Sequence, residues 1–124
     1  MIAVDTSSLI AYFSGEEGKD IDAVLWALDQ KQVVFPPVVL SELLSDPKLS
    51  EKSKQLFQEI PILEISEGYW ERVGLSRSML LAKGIKAKLA DTLIAQSCID
   101  HDVPLISRDN DFRHFTKPGL KLLS

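Results

Sequence analysis

The sequence predicts an α/β fold in which a central parallel sheet of about four to five strands is flanked by helices. Three observations predict it. Met1 to Val4, Val33 to Phe35, Ile62 to Ile65 and Pro104 to Ser107 are short, mostly apolar runs, the pattern of strands buried on both faces. Segments with apolar residues at helical spacing separate them. The intervening stretches are also long enough to cross over between parallel neighbours.

Each element has its own local reason. The first strand ends at Asp5, and Thr6 to Ser14 follows as a helix with Leu9, Ile10 and Phe13 on one face and Gly15 closing it. Ile21, Val24, Leu25 and Leu28 recur at helical spacing up to Gln30, which gives a second amphipathic helix. Pro36 and Pro37 stop the second strand. Because proline fits a first helical turn, Pro37 opens a helix carrying Val38, Val39, Glu42, Leu43 and Leu44, which Asp46 and Pro47 end. Ser50 to Glu59 is a further helix, Ile62 to Ile65 the third strand, and Glu67 to Ala82 a long helix terminated by Gly84. A loop through Lys86 leads into a helix from Lys88 to His101. Pro104 to Ser107 is the fourth strand, and Lys121 to Leu123 is a candidate fifth at the sheet edge.

At 124 residues the chain is near the usual size of one domain, roughly 100 to 150 residues, so residues 1–124 are read as a single unit. Its 45% hydrophobic and 26% charged residues are ordinary globular usage, with no linker composition and no internal repeat. The longest apolar run, Val33 to Leu40, is broken by two prolines and falls well short of the ~20 residues that a membrane span needs. An acid at position 5 leaves no room for a signal-peptide core, so a cytoplasmic protein is expected. Cys98 is the sole cysteine, which excludes an internal disulfide and a zinc-type Cys/His set and reads as a buried helix residue.

Four acids need explaining. Asp5, Glu42, Asp91 and Asp109 each follow or border an apolar stretch, and burying an unpaired carboxylate costs several kcal/mol or forces protonation. Any one of them reads equally well as a helix cap or as an acid complementing a helix dipole. Together they belong to strand ends and early helix turns of one α/β layer, where ligands bind beyond the carboxyl ends of the strands. Oxygen donors without Cys or His select a hard cation, Mg²⁺ or Mn²⁺. Such a cation commonly handles phosphate esters, with activated water as the attacker. No G-x-S-x-G elbow, phosphate-binding glycine loop or DxDxT motif offers another route.

The net charge of −4 argues against binding nucleic acid by overall attraction, but the cations are clustered. Arg72, Arg77, Lys83, Lys86 and Lys88 form an acid-free stretch, and Arg108, Arg113, His114 and Lys117 surround the last acidic motif. Solvated helix faces explain such runs equally well. Next to a phosphate-handling site they are candidates for tracking a phosphate backbone: Arg72, Arg77, Lys83, Lys86 and Lys88, assisted by Arg108 and Arg113. Tyr69 and Trp70 read as core or dimer packing rather than base stacking.

Four segments carry a family resemblance over essentially the whole chain. They are Ile2-Ala3-Val4-Asp5-Thr6-Ser7-Ser8-Leu9-Ile10, Pro37-Val38-Val39-Leu40-Ser41-Glu42-Leu43, Leu89-Ala90-Asp91-Thr92-Leu93-Ile94-Ala95 and Leu105-Ile106-Ser107-Arg108-Asp109-Asn110-Asp111-Phe112. In that order they resemble the PIN-domain nucleases, and more narrowly the small VapC-like toxins of toxin–antitoxin pairs. The resemblance implies a PIN fold, Mg²⁺- or Mn²⁺-dependent endoribonuclease activity on RNA, frequent homodimers, and inhibition by a small antitoxin whose tail covers the acidic pocket. By position, Asp5, Glu42 and Asp91 match the family's core metal-binding acids and Asp109 the more variable fourth. Thr6 matches the small polar residue beside the first acid, and Ser107 stands where the family often has Thr. Asp111, two residues after Asp109, is a second candidate for the fourth place. Two other classes compete. A phosphoacceptor domain wants paired acids after its first strand, where this chain has Thr6, Ser7 and Ser8. The other is a PIN-fold RNA- or protein-binding module without catalysis, since fold alone does not establish activity.

Overall fold

A computed structural model describes residues 1–123. In chain order the elements are β1 (Ile2–Val4), α1 (Thr6–Phe13), α2 (Lys19–Asp29), β2 (Val33–Val34), α3 (Pro37–Leu44), α4 (Glu51–Glu59), α5 (Tyr69–Ala82), α6 (Leu89–His101), β3 (Leu105–Ile106) and a 3₁₀ helix (Asn110–Phe115). The sheet is parallel, in the order β2-β1-β3, so the chain crosses back to β1 through helices. Every strand residue is buried, so both faces of the sheet are covered.

The sheet is narrower than the expected four to five strands. Two of those runs contribute one parallel bridge each, Phe35 to Ile62 outside β2 and Leu105 to Leu122 outside β3. Each bridge still makes two ladder hydrogen bonds. The Phe35 N–H donates to Pro61 O at 2.8 Å and the Leu63 N–H to Phe35 O at 2.9 Å, and Leu105 is bonded in the same way to Lys121 and Leu123. Both runs are edges: Ile62, Ile65 and Leu122 are exposed, and Pro61 has no N–H with which to extend the ladder.

Local chemistry accounts for the helix boundaries. Pro37 stands in the first turn of α3, the Ser50 side chain caps α4 by accepting the Ser53 N–H, and Gly68 precedes α5 with φ +81°. Asp102 ends α6 in the left-handed region at φ 52°. That helix is central. Thr92, Ile94, Ala95, Gln96, Ser97 and Cys98 are all buried, too much of its circumference for a surface helix, because α6 packs against α5, α3 and the 3₁₀ helix. Cys98 is enclosed, and burial, aided by the Asp5 charge, pushes its thiol well above its ordinary pKa, which leaves it unreactive.

Phe35 is fully buried, with Phe57 of α4 tilted against it at 6.3 Å between ring centroids. Phe35→Ala is expected to destabilise the fold by about 3–5 kcal/mol, because it opens a cavity where β2 meets α4. Urea titration would read this as a lower midpoint at unchanged slope.

Candidate active site

β1 and β3 are adjacent and parallel, so their carboxyl ends meet at one rim. Asp5 leaves β1 there with only 5% exposure. It occupies the N-cap position of α1, yet its side chain makes no capping hydrogen bond. Its Oδ2 instead accepts from Ser7 Oγ at 2.7 Å and from Ser107 Oγ at 2.9 Å. Ser107, buried just past β3, also accepts the Asp109 N–H at 3.0 Å. One hydroxyl therefore couples the first acid to the backbone of the last acidic segment.

Asp91 enters the same rim from the first turn of α6. Its carboxylate and those of Asp109 and Asp111 lie within 4.8 Å of one another. Asp109 caps the 3₁₀ helix by accepting the Asp111 N–H at 2.9 Å, which keeps both acids on one side of the turn. Both candidates for the fourth place thus join the cluster. Burial, followed by the charges of Asp109 and Asp5, raises the Asp91 pKa to about 6, with Asp111 adding to the rise and Lys88 opposing it.

Glu42 stands apart from the close group. It is exposed on α3, with its Oε1 accepting from Thr6 Oγ1 at 2.8 Å. Thr6 therefore orients Glu42 rather than its neighbour Asp5. The expected residues Asp5, Glu42, Asp91 and Asp109 all come to the rim, but the tight triad is Asp91, Asp109 and Asp111. None of these five acids is ion-paired with a Lys or Arg among the described residues. An all-oxygen, uncompensated donor set suits a hard divalent cation.

The basic residues divide. Arg72 is committed to the fold: its Nε and Nη2 reach Asp100 at 3.0 and 2.7 Å, and Nη1 donates to Glu67 O at 2.8 Å. Arg77 Nε donates to Ala87 O at 2.8 Å and so holds the loop before α6. Arg108 grips Asp20 through Nε at 2.8 Å and Nη2 at 3.2 Å, with Glu16 at 3.3 Å. These internal clamps stand against the expectation that Arg72, Arg77 and Arg108 track a phosphate backbone. Lys83, Lys86, Lys88 and Arg113 remain exposed, and Lys88 is close enough to affect Asp91. Tyr69 is buried and donates its hydroxyl to Leu93 O at 2.7 Å, whereas Trp70 is 61% exposed.

Sequence reading missed Asp20 and Asp100, the partners of two of those arginines. An acid in the first turn of a helix, as Asp20 is, reads as a dipole-complementing residue, and nothing local announces a partner 88 positions away.

The fold and site thus define a parallel α/β protein with a cluster of acids, unpaired among the described residues, at the carboxyl rim of its sheet. The chain belongs to the PIN domain family, whose sequence model matches residues 2–118. Among solved structures it is similar to VapBC2 from Rickettsia felis bound to a DNA fragment from their promoter (TM-score 0.71, 23% identity, 98% of this chain and 97% of that one). It is also similar to FitAcB from Neisseria gonorrhoeae (TM-score 0.69, 19% identity, 100% and 97% of the two chains). No curated protein sequence matches it. At these identities the structural likeness establishes the fold. No helix among the described residues is long and apolar enough to cross a membrane.

Proposed function

We propose that the chain is a divalent-metal-dependent endoribonuclease of the PIN family, acting in the cytoplasm as the toxin of a toxin–antitoxin pair. One observation carries the catalytic part: three carboxylates converge within 4.8 Å beside a buried Asp5, with no ion-paired Lys or Arg for any of them among the described residues. Burial and this repulsion raise the pKa of Asp91 in the absence of a cation, and a bound cation relieves the repulsion. The toxin role rests on the resemblance to VapC-like proteins and on a VapBC2 structure among the relatives. Both support a small antitoxin partner, and the same resemblance supports a homodimer.

Asp91, Asp109 and Asp111 would hold the cation, with Asp5 completing the site from β1. When bound, Mg²⁺ or Mn²⁺ supplies Lewis acidity toward the scissile phosphodiester and makes water a better nucleophile. The chain's own residues set the geometry. Ser107 and Ser7 fix the Asp5 carboxylate, the Asp111 N–H fixes that of Asp109, and Thr6 orients Glu42 at the solvent side of the rim. Lys83, Lys86, Lys88 and Arg113 offer exposed positive charge for the RNA backbone, so cleavage should weaken as salt rises.

The test is cleavage of a labelled single-stranded RNA with Mg²⁺ or Mn²⁺, with EDTA, and with Asp5→Asn. Wild-type cleavage should stop in EDTA, and Asp5→Asn should fall at least a hundredfold. An Asn side-chain oxygen can still accept from Ser7 and Ser107, so the fold is retained. Equal rates for wild type and Asp5→Asn would sink the assignment. Metal binding without cleavage would favour the non-catalytic module.

A further inference from the structure

A second concave feature lies away from the acids, between α5, α6 and the segment that follows the 3₁₀ helix. It is a trough of about 620 Å³. Its floor includes Leu80, Ile85 and Ile99, and its wall includes Leu75 and Met79. Those last two are 68% and 63% exposed, an unusual amount of apolar surface to leave in water side by side on one helix. Its charged lining is entirely basic. Lys83 and Lys117 are exposed and make no salt bridge among the described residues, Arg72 is neutralised by Asp100, and no Asp or Glu lines the trough.

We infer that this trough is a docking site for an acidic amphipathic helix of a partner protein. From Leu75 to Lys83 the wall runs about 12 Å, the length of two turns of helix. Apolar residues at i, i+3, i+4 and i+7 of such a helix would lie on Leu75, Met79 and Ile99, and Glu or Asp on its flanks would face Lys83 and Lys117. Methionine suits this role because its unbranched side chain repacks around different partners.

The competing occupants fit worse. A second copy meeting it trough to trough would bring two basic linings together, with no acid in either to offset them. RNA gains nothing from an apolar lining. A small ligand needs walls that bury most of its surface, and here the wall residues are themselves two-thirds exposed. The inference does not depend on nuclease activity, since none of the rim acids lines the trough.

The experiment uses the whole, ¹⁵N-labelled protein and two synthetic 14-residue helical peptides. Both carry Leu at i, i+3, i+4 and i+7; one has Glu at the flanking positions and the other Lys. The acidic peptide is expected to shift the amide signals of Leu75, Met79, Ile99 and Lys117, and to bind at least tenfold tighter than its basic twin. Its affinity should fall with salt and drop at least tenfold in Met79→Glu, while Lys83→Glu with Lys117→Glu should reverse the preference between the peptides. Equal binding of both, binding of neither, shifts confined to the acidic rim, or affinity unchanged by Met79→Glu would overturn the inference. So would sedimentation showing that Met79→Glu converts a dimer into a monomer, which would assign the trough to a second copy.

Discussion

Asp91→Asn is expected to abolish cleavage and yet raise the melting temperature of the metal-free protein. The two effects share one cause. Asp91 sits in the carboxylate triad, partly desolvated and beside the charges of Asp109, Asp5 and Asp111, so its pKa stands at about 6 against a usual 3.8. Between those values the folded chain binds more protons than the unfolded chain. Stability of the metal-free protein therefore falls as pH rises from about 4 to about 6 and is level above that. The full difference corresponds to roughly 3 kcal/mol, and solvent screening of a partly exposed group reduces it to about 1–2 kcal/mol. Asparagine removes the charge and with it the penalty. In EDTA at pH 7.5 the variant should melt several degrees above the wild type, and near pH 4 the two should converge. Mn²⁺ should reverse the order, because ligand at about a hundred times its dissociation constant stabilises the wild type by about 2.7 kcal/mol while the variant has lost a ligand. Cleavage should fall at least a hundredfold, about 2.7 kcal/mol of barrier. Identical melting of the two proteins in EDTA at pH 7.5 would refute the account of the cluster, and a wild type indifferent to Mn²⁺ would refute the cation.

Trading stability for a site in this way leaves a mark in sequence, which is why Asp5 and Asp91 could be read from it. Each is an acid where the local pattern calls for an apolar or small residue, and strand-end and helix-start positions are set by nearby residues. The assignment between Asp109 and Asp111 was open at that level. Two acids spaced by two share one face of a strand but point to opposite sides of a helix, so whether both reach one site depends on the local turn, which the Asp111 N–H makes by bonding to Asp109. The short 3₁₀ helix that makes the turn has no periodicity to announce it. The same limit governs the sheet edges, where Ile62 and Leu122 pair through single bridges settled by distant neighbours. It also governs the arginines. Arg72 and Arg108 look like basic surface until Asp100 and Asp20, 28 and 88 residues away, arrive beside them.

Of those two clamps, the one at Arg108 should have the larger effect when broken. Asp20→Ala is expected to destabilise the fold by about 2–4 kcal/mol, a drop in melting temperature on the order of 10 °C. The Asp20 side chain is 9% exposed and that of Arg108 30%, and the same carboxylate accepts the hydroxyl of the fully buried Ser8 at 2.9 Å. Truncating Asp20 thus strands a half-buried guanidinium and a buried hydroxyl together, and unmet partners cost more than a hydrogen bond contributes. Even the backbone is fitted to the clamp: Gly18 has φ +148°, and a Cβ there would meet Asp20 Oδ1 at 2.7 Å. The hydrogen bond from Arg108 holds the Asp20 pKa below the usual carboxylate range, with Ser8 assisting and burial opposing. A depressed pKa contributes stability that is present above the unfolded value near 4 and lost as pH falls through the folded value, so the gap between wild type and variant should close in acid. Arg108→Met separates the pair from its parts. If the clamp acts as a unit, Asp20→Ala should cost about 1–3 kcal/mol less in that background, whereas additive losses would mean that the two residues stabilise the fold independently. The effect should also reach the rim, because Arg108 directly precedes Asp109 and the clamp anchors the turn to α1 and α2. Mn²⁺ affinity should therefore weaken in Asp20→Ala although Asp20 is not one of the clustered acids Asp91, Asp109 and Asp111, and an unchanged affinity would confine the clamp to stability.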